Sequence, residues 1–155
     1  ESPMVDFQNI LFPVSLTDIS PVVAPYVALA ARRFDAKLHL LHVLRRFDWF
    51  VDTYVSQPSE TDFKSIASDF EDQLLSRAHQ PLDVYRQEHF KGLDIAKSIA
   101  VAGTHYKEIL GYVESEKIDL IIMGSGSPLQ KMVFGSVADK VAKLSSVPVM
   151  LVKSN

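Results

Sequence analysis

The stretch from residue 118 to residue 136, IDLIIMGSGSPLQKMVFGS, decides the fold. Its first part, IDLIIM, is a short apolar run typical of a strand that is buried on both faces of a parallel sheet. Glycine and serine follow at once, and Val137, Val141 and Leu144 then recur at helical spacing. A buried strand that leads through a glycine-rich loop into a helix is the repeating element of α/β proteins.

The same alternation extends over the rest of the chain. Strands are predicted at ILFPV (10–14), LHLLHVL (38–44), IAKSIAV (95–101) and VPVMLV (147–152). Helical periodicity separates them, beginning near Ser20-Pro21, near Phe63 and at Gly103-Thr104. We therefore predict an α/β fold with a five-stranded parallel sheet and helices on both faces. The third strand is the least apolar, and the last contains Pro148, so both are expected near sheet edges.

Proline and glycine refine the predicted helices. Pro25 predicts that the regular part of the first helix starts a turn later, and Pro81 predicts a kink or a restart in the long second helix. Gly92 is a plausible stop for that helix. Its core-facing stripe is predicted to contain Phe63, Ile66, Ala67, Phe70, Leu74 and Ala78. The aromatic segment Phe47–Tyr54 has no clear period and is interpreted as a loop that covers the core, covers a nucleoside or contacts a partner.

Composition limits the possible functions. The 155 residues suit one domain, 1–155, and 47% hydrophobic residues suffice for a core. A net charge of −3 without a basic stripe argues against nucleic-acid binding. The absence of cysteine excludes disulfides, thiol catalysis and thiolate metal sites, and it suits the cytoplasm, where we expect the protein. No apolar run reaches the roughly 20 residues of a membrane span.

The glycine-serine segment is the candidate ligand site. Gly124, Ser125, Gly126 and Ser127 follow a buried strand, and Gly135-Ser136 precedes a helix. Backbone N–H groups at such a loop and helix start can cradle a phosphate. The same pattern also occurs in loops that only connect a strand to a helix. It is neither a P-loop, which requires GxxxxGK[ST], nor the dinucleotide fingerprint, which follows the first strand.

Longer segments resemble the universal stress protein family. The run KIDLIIMGSGSPLQKMVFGSVADKVAKLSSVPVMLVK (117–153) looks like the C-terminal third of such a protein. The segments NILFPVSLTDIS (9–20) and ALAARRFDAKLHLLHVL (28–44) resemble the family's first strand, helix and second strand. The resemblance implies a Rossmann-like sheet of strand order 3-2-1-4-5 and a homodimer, commonly paired through the last strand.

The resemblance also implies an adenine-nucleotide site, for ATP or AMP with Mg. In the ATP-binding branch, a pattern of Gly-x-x-Gly, nine residues and Gly-Ser or Gly-Thr holds the phosphates and ribose. An aspartate near the end of the first strand and the backbone at the end of the second hold the nucleoside. Carried over by position, the phosphate residues are Gly124, Ser125, Gly126, Ser127, Gly135 and Ser136. The nucleoside residues are Pro13, Val14, Ser15, Val43 and Leu44.

Two departures from that pattern predict weakened binding. The glycines read Gly124-x-Gly126 with eight residues before Gly135, so the loop is two residues shorter. Ser15 stands at the aspartate position, and Asp18 lies three residues further on. Losing a hydrogen bond to an ionised group costs roughly 1.5–3 kcal/mol, or about one to two decades of affinity. We expect a stress-response regulator that senses an adenine nucleotide weakly, or a nucleotide-free dimeric scaffold that acts through protein partners.

Catalysis and metal binding lack candidate residues. No general base stands near the loop serines, so we expect no enzyme beyond slow, incidental ATP hydrolysis. His39 and His42 fall on opposite faces of the second strand and cannot share a metal ion. We interpret both as buried, hydrogen-bonded histidines. His42 is expected to lie close to the nucleoside pocket.

Overall fold

A computed structural model describes residues 4–16, 20–45, 60–126 and 135–153. Its single sheet has five parallel strands in the order β3-β2-β1-β4-β5. This confirms the parallel α/β architecture and the predicted 3-2-1-4-5 order. The strands are β1 (Asn9–Pro13), β2 (Lys37–Leu44), β3 (Ile95–Ala102), β4 (Leu120–Gly124) and β5 (Val149–Val152).

Four helices among the described residues cover the two faces of the sheet. They are α1 (Ser20–Phe34), α2 (Glu60–His89), α3 (His105–Ser115) and α4 (Ser136–Leu144). One core cluster joins α1 and the second half of α2 to one sheet face, with Phe12, Leu40 and Ile122 in its centre. The other joins α3 and α4 to the opposite face, around Leu11, Ile121 and Val141. Among the described residues, no helix is both long and apolar enough to cross a membrane.

The strand boundaries follow local hydrogen bonding. Pro13 is the last residue of β1, one residue before the predicted end of that strand. β4 begins at Leu120, and the two residues before it connect it to α3 and β1. The N–H of Ile118 closes the end of α3 on the Val113 carbonyl at 3.0 Å. The Asp119 carboxylate accepts the N–H groups of Gln8 and Asn9 at 2.9 and 2.8 Å. β3 and β5 are the edge strands, which confirms both edge predictions.

The two prolines within helices do not interrupt them. α1 begins at Ser20 and continues through Pro25, so the prediction of a later start is wrong. α2 runs for 30 residues through Pro81 without a restart. Proline removes only one helical hydrogen bond, and the packing of neighbouring residues holds both helices. Gly92 follows α2 with a φ of +83°, in agreement with its predicted role as a stop.

The predicted apolar stripe of α2 is only partly buried. Ala67 and Ala78 are buried, whereas Ile66, Phe70 and Leu74 are exposed by 65%, 43% and 37%. The side chain of Phe63 lies outside the described residues. The core cluster of this sheet face takes its α2 residues from the second half of the helix, at Leu82 and Tyr85. The aromatic segment Phe47–Tyr54 and Asp18 also lie outside the described residues.

Candidate functional site

A cavity of about 250 Å³ opens where the carboxyl ends of β1, β2 and β4 meet α3. This is the place where open α/β sheets bind ligands, since the strand order reverses there. Six of the predicted site residues share its wall: Pro13, Val14, Ser15, Val43, Gly124 and Gly126. The structure thus brings together the ends of three strands that are far apart in sequence.

Other predicted residues have different positions. Of the residues that the structure describes, Leu44, Ser125, Gly135 and Ser136 are outside the wall. The Leu44 carbonyl accepts the Gly103 N–H at 2.8 Å, which ties the end of β2 to the start of α3. Ser127 lies outside the described residues.

The glycine-rich loop has already used some of its N–H groups. Ser125 donates its N–H to the Val152 carbonyl at 2.9 Å, and Gly135 donates its N–H to the Ser125 carbonyl at 2.8 Å. Gly126 has a φ of +109°, a backbone conformation that favours glycine and turns the chain sharply. Two predicted phosphate donors therefore serve the internal structure of the loop.

The rest of the wall comes from residues outside the predicted set. They are Leu41, His42, His105, Ile109, Met123 and Val137. Most are apolar and were assigned only to strand or helix interiors, because periodicity predicts burial but not proximity to a cavity. His42 agrees with its expected place near the pocket, whereas the glycine-loop and strand-end patterns do not identify His105 as a site residue. Its position directly after Gly103-Thr104, at the start of α3, is the signal that could have identified it.

Two histidines at the cavity form hydrogen bonds to the backbone. His42 Nδ1 lies 2.8 Å from the Val14 carbonyl oxygen, so this nitrogen donates to the carbonyl. The His105 ring forms a hydrogen bond to the backbone of Val43. Burial lowers the pKa of His105 below the ordinary 6.5, and the positive charges of Arg45 and His42 lower it further, although the bond to Val43 opposes them. His105 is therefore neutral at physiological pH and keeps one nitrogen as an acceptor.

The comparisons with known proteins agree with this architecture. The model of the Universal stress protein family matches residues 6–153. The chain belongs to the universal stress protein family. Universal stress protein MJ0531 from Methanocaldococcus jannaschii is 28% identical over 151 residues, which cover 95% of this chain and 82% of that protein.

Solved structures show the same universal stress protein fold. MJ0577, also from Methanocaldococcus jannaschii, has a TM-score of 0.79 at 24% identity, over 97% of this chain and 99% of that one. A universal stress protein in complex with cAMP has a TM-score of 0.58 at 18% identity, over 97% and 99% of the two chains. One from Archaeoglobus fulgidus in complex with dAMP has a TM-score of 0.55 at 17% identity, over 96% and 98%.

His39 has a structural position in this universal stress protein, away from the cavity. It is 3% exposed, and its ring nitrogens lie 2.7 Å from the Tyr112 hydroxyl and 3.0 Å from Asn9 Oδ1. This confirms the interpretation of a buried, hydrogen-bonded histidine. Over the described part of the chain, no group of three or more His, Cys, Asp or Glu side chains could hold a metal ion.

Proposed function

We propose that the cavity binds the nucleoside part of an adenine nucleotide, and that the protein is a stress-response regulator that favours AMP over ATP. The observation that carries this proposal is the wall itself. Apolar side chains such as Ile109 and Met123 line it, and the neutral His105 imidazole supplies an acceptor nitrogen. Adenine is a flat apolar ring with an amino group that donates, so the two chemistries match.

The cavity size supports a mononucleotide. Its volume of about 250 Å³ lies just below the roughly 300–1,000 Å³ of sites for drug-sized ligands. A nucleoside can occupy this space, and its phosphate would extend towards the glycine-rich loop. The start of α4 at Ser136 provides the positive end of a helix dipole on that side.

The loop favours one phosphate over three. The N–H groups of Ser125 and Gly135 already donate within the protein, so fewer donors remain for a triphosphate. Each missing charge-assisted hydrogen bond costs about 1.5–3 kcal/mol. The relatives solved with cAMP and dAMP hold ligands that carry one phosphate each, which supports the same preference.

A thermal-shift and calorimetric titration with AMP and ATP, each with and without Mg²⁺, tests the proposal. At a hundred times the dissociation constant, a ligand stabilises the folded state by about 2.7 kcal/mol. We expect a saturable rise of the melting temperature by several degrees with AMP and a smaller rise with ATP. A larger rise with ATP would contradict the preference for one phosphate.

Two valine substitutions locate the site. Gly124→Val places a β-branched side chain in the cavity wall at the last position of β4, and we expect it to abolish the AMP shift. Gly111→Val is the matched control, because a Cβ at Gly111 on α3 meets no atom within 4 Å. Full AMP binding by the Gly124→Val variant would reject this placement.

A nucleotide-free dimeric scaffold is the second candidate function. The engaged N–H groups of Ser125 and Gly135 favour it, and Ser15 provides no carboxylate in the wall. No melting shift with either nucleotide up to millimolar concentration, from a folded protein, would favour the scaffold and reject the sensor.

A further inference from the structure

A second cleft lies on the other face of the sheet, between the residues that follow β1 and the second half of α2. Its volume is about 490 Å³, nearly twice that of the first cavity and within the roughly 300–1,000 Å³ of small-molecule sites. Ser15 lines both spaces, so the two are neighbours. The proposed nucleotide site does not use the rest of this cleft.

Each helix-interior proline lies four residues after a residue that lines this cleft. Proline has no N–H, so the carbonyl four residues earlier loses its helical donor. Pro25 removes the donor for the carbonyl of Pro21, and Pro81 removes the donor for the carbonyl of Arg77. Pro21 and Arg77 both line the cleft. Two prolines in different helices thus leave backbone acceptors on residues of the same wall.

The remaining wall combines an aromatic floor with balanced charge. The rings of Tyr85 and His89 lie 4.4 Å apart, and Phe12 and Phe90 pack behind Tyr85 at 6.2 and 5.9 Å. Such a packed cluster gives the floor a fixed shape. The Arg77 and Glu88 side chains contribute one charge of each sign. This balance gives no preference for a net anion or cation.

We propose that this cleft is a second ligand site, which binds a small, uncharged, polyhydroxylated molecule of the sugar type. Hydroxyl groups both donate and accept, so they can serve the backbone carbonyls of Pro21 and Arg77 as well as the Gln80 amide and the guanidinium. The C–H face of a sugar ring packs on aromatic and proline rings, which the wall supplies at Tyr85 and Pro81.

An NMR titration with D-glucose and trehalose tests the proposal, with glucosamine and gluconate as charged comparators. We expect saturable shifts of the Ser15, Gln80 and Val84 amides with a neutral sugar at millimolar concentration, and weaker binding of both charged analogues. No saturable shift with either neutral sugar would overturn the proposal, and tighter binding of glucosamine or gluconate would overturn the ligand class.

Two tryptophan variants locate the binding. Val84 lines the cleft and is 48% exposed, so Val84→Trp fills it without disturbing the core. Val22→Trp is the matched control, because Val22 is 44% exposed on α1 and lies outside the described wall. We expect only Val84→Trp to abolish sugar binding. Equal sugar binding by both variants would overturn the placement, and AMP shifts abolished by Val84→Trp would show one joint site.

Pro25→Ala tests the carbonyl argument directly. Pro25 is outside the described wall, but alanine restores an N–H donor to the Pro21 carbonyl. We expect sugar affinity to fall about two- to tenfold, because the net free energy of one neutral hydrogen bond corresponds to that change in affinity. We expect the melting temperature to rise, because alanine restores a helical hydrogen bond. Unchanged sugar affinity in this variant would reject the role of the Pro21 carbonyl.

Discussion

At the scale of single residues, a hydrogen-bond chain runs from Asn9 through the buried His39 to Tyr112 and fixes the tautomer of the His39 ring. Asn9 Oδ1 can only accept, so His39 Nε2 donates to it, and Nδ1 of the neutral ring accepts from the Tyr112 hydroxyl. Burial lowers the pKa of His39, and burial together with Glu116 raises the pKa of Tyr112. Both directions favour the neutral ring and the protonated hydroxyl that this chain requires.

The lowered pKa of His39 predicts loss of stability in mild acid. The unfolded chain takes up a proton near 6.5, whereas the folded protein resists it, so the unfolded state binds more protons as the pH falls through that value. We expect the free energy of unfolding to fall between about pH 7.5 and about pH 5.5. Urea denaturation at a series of pH values measures it.

His39→Gln provides the control for this pH dependence. Glutamine can donate and accept along the same chain but does not titrate. Because burial also lowers the pKa of His105, the test is the difference between wild type and variant. A decline of equal size in both proteins would show that His39 is not its source.

The site residues show which part of a pocket a sequence can predict. Gly124 and Gly126 could be predicted because a glycine-rich loop after a buried strand has a recognisable pattern, and Val43 could be predicted from the family resemblance. Ile109 and His105 could not, because they reach the cavity only when α3 packs beside β2. Hydrogen bonds such as that of Gly135 to Ser125 were also beyond prediction, since they depend on loop geometry and not on composition.

At the scale of elements, replacement of glycine by alanine is expected to have opposite effects on stability at two positions. Gly92 ends α2 in the left-handed region with a φ of +83°, where a side chain costs about 1–2 kcal/mol. Gly111 is exposed within α3, where alanine stabilises by about 0.5–1 kcal/mol. A Cβ meets no atom within 4 Å at either position, so backbone conformation alone determines the sign.

Chemical denaturation measures both variants. We expect Gly92→Ala to lower the free energy of unfolding and Gly111→Ala to raise it, with equal slopes against denaturant concentration. If both substitutions changed the free energy of unfolding in the same direction, backbone conformation at these two glycines would not be what determines the effect.

α2 shows what hydrophobic periodicity can predict about a helix and what it cannot. The pattern predicted the helix and its end at Gly92, because spacing and a stop residue are local properties. Its prediction of the core-facing stripe was only partly right, because burial also depends on how the helix lies on the sheet. Ala67 and Ala78 are buried, whereas Ile66 and Phe70 remain exposed.

At the scale of the whole molecule, the family resemblance implies both the strand order, which the structure confirms, and a homodimer through the last strand, which stays a prediction. The sheet ends at β5, a strand of four residues whose outer edge has no strand partner among the described residues. Such an edge presents backbone N–H and C=O groups that can pair with a second copy. A two-fold axis would place two β5 strands antiparallel and join two sheets into one.

We expect a homodimer through β5, and Met150→Asp is the sharpest test of it. Met150 is 42% exposed, so aspartate there adds charge at the edge while the core stays intact. Val149 is a poorer choice, because it packs against the α3–α4 core and a charge would also cost stability. Analytical ultracentrifugation should find a dimeric wild type, a monomeric Met150→Asp variant and a dimeric Leu144→Asp control, since Leu144 is 60% exposed on α4. A Met150→Asp variant that stays dimeric, or a monomeric wild type, would reject pairing through β5.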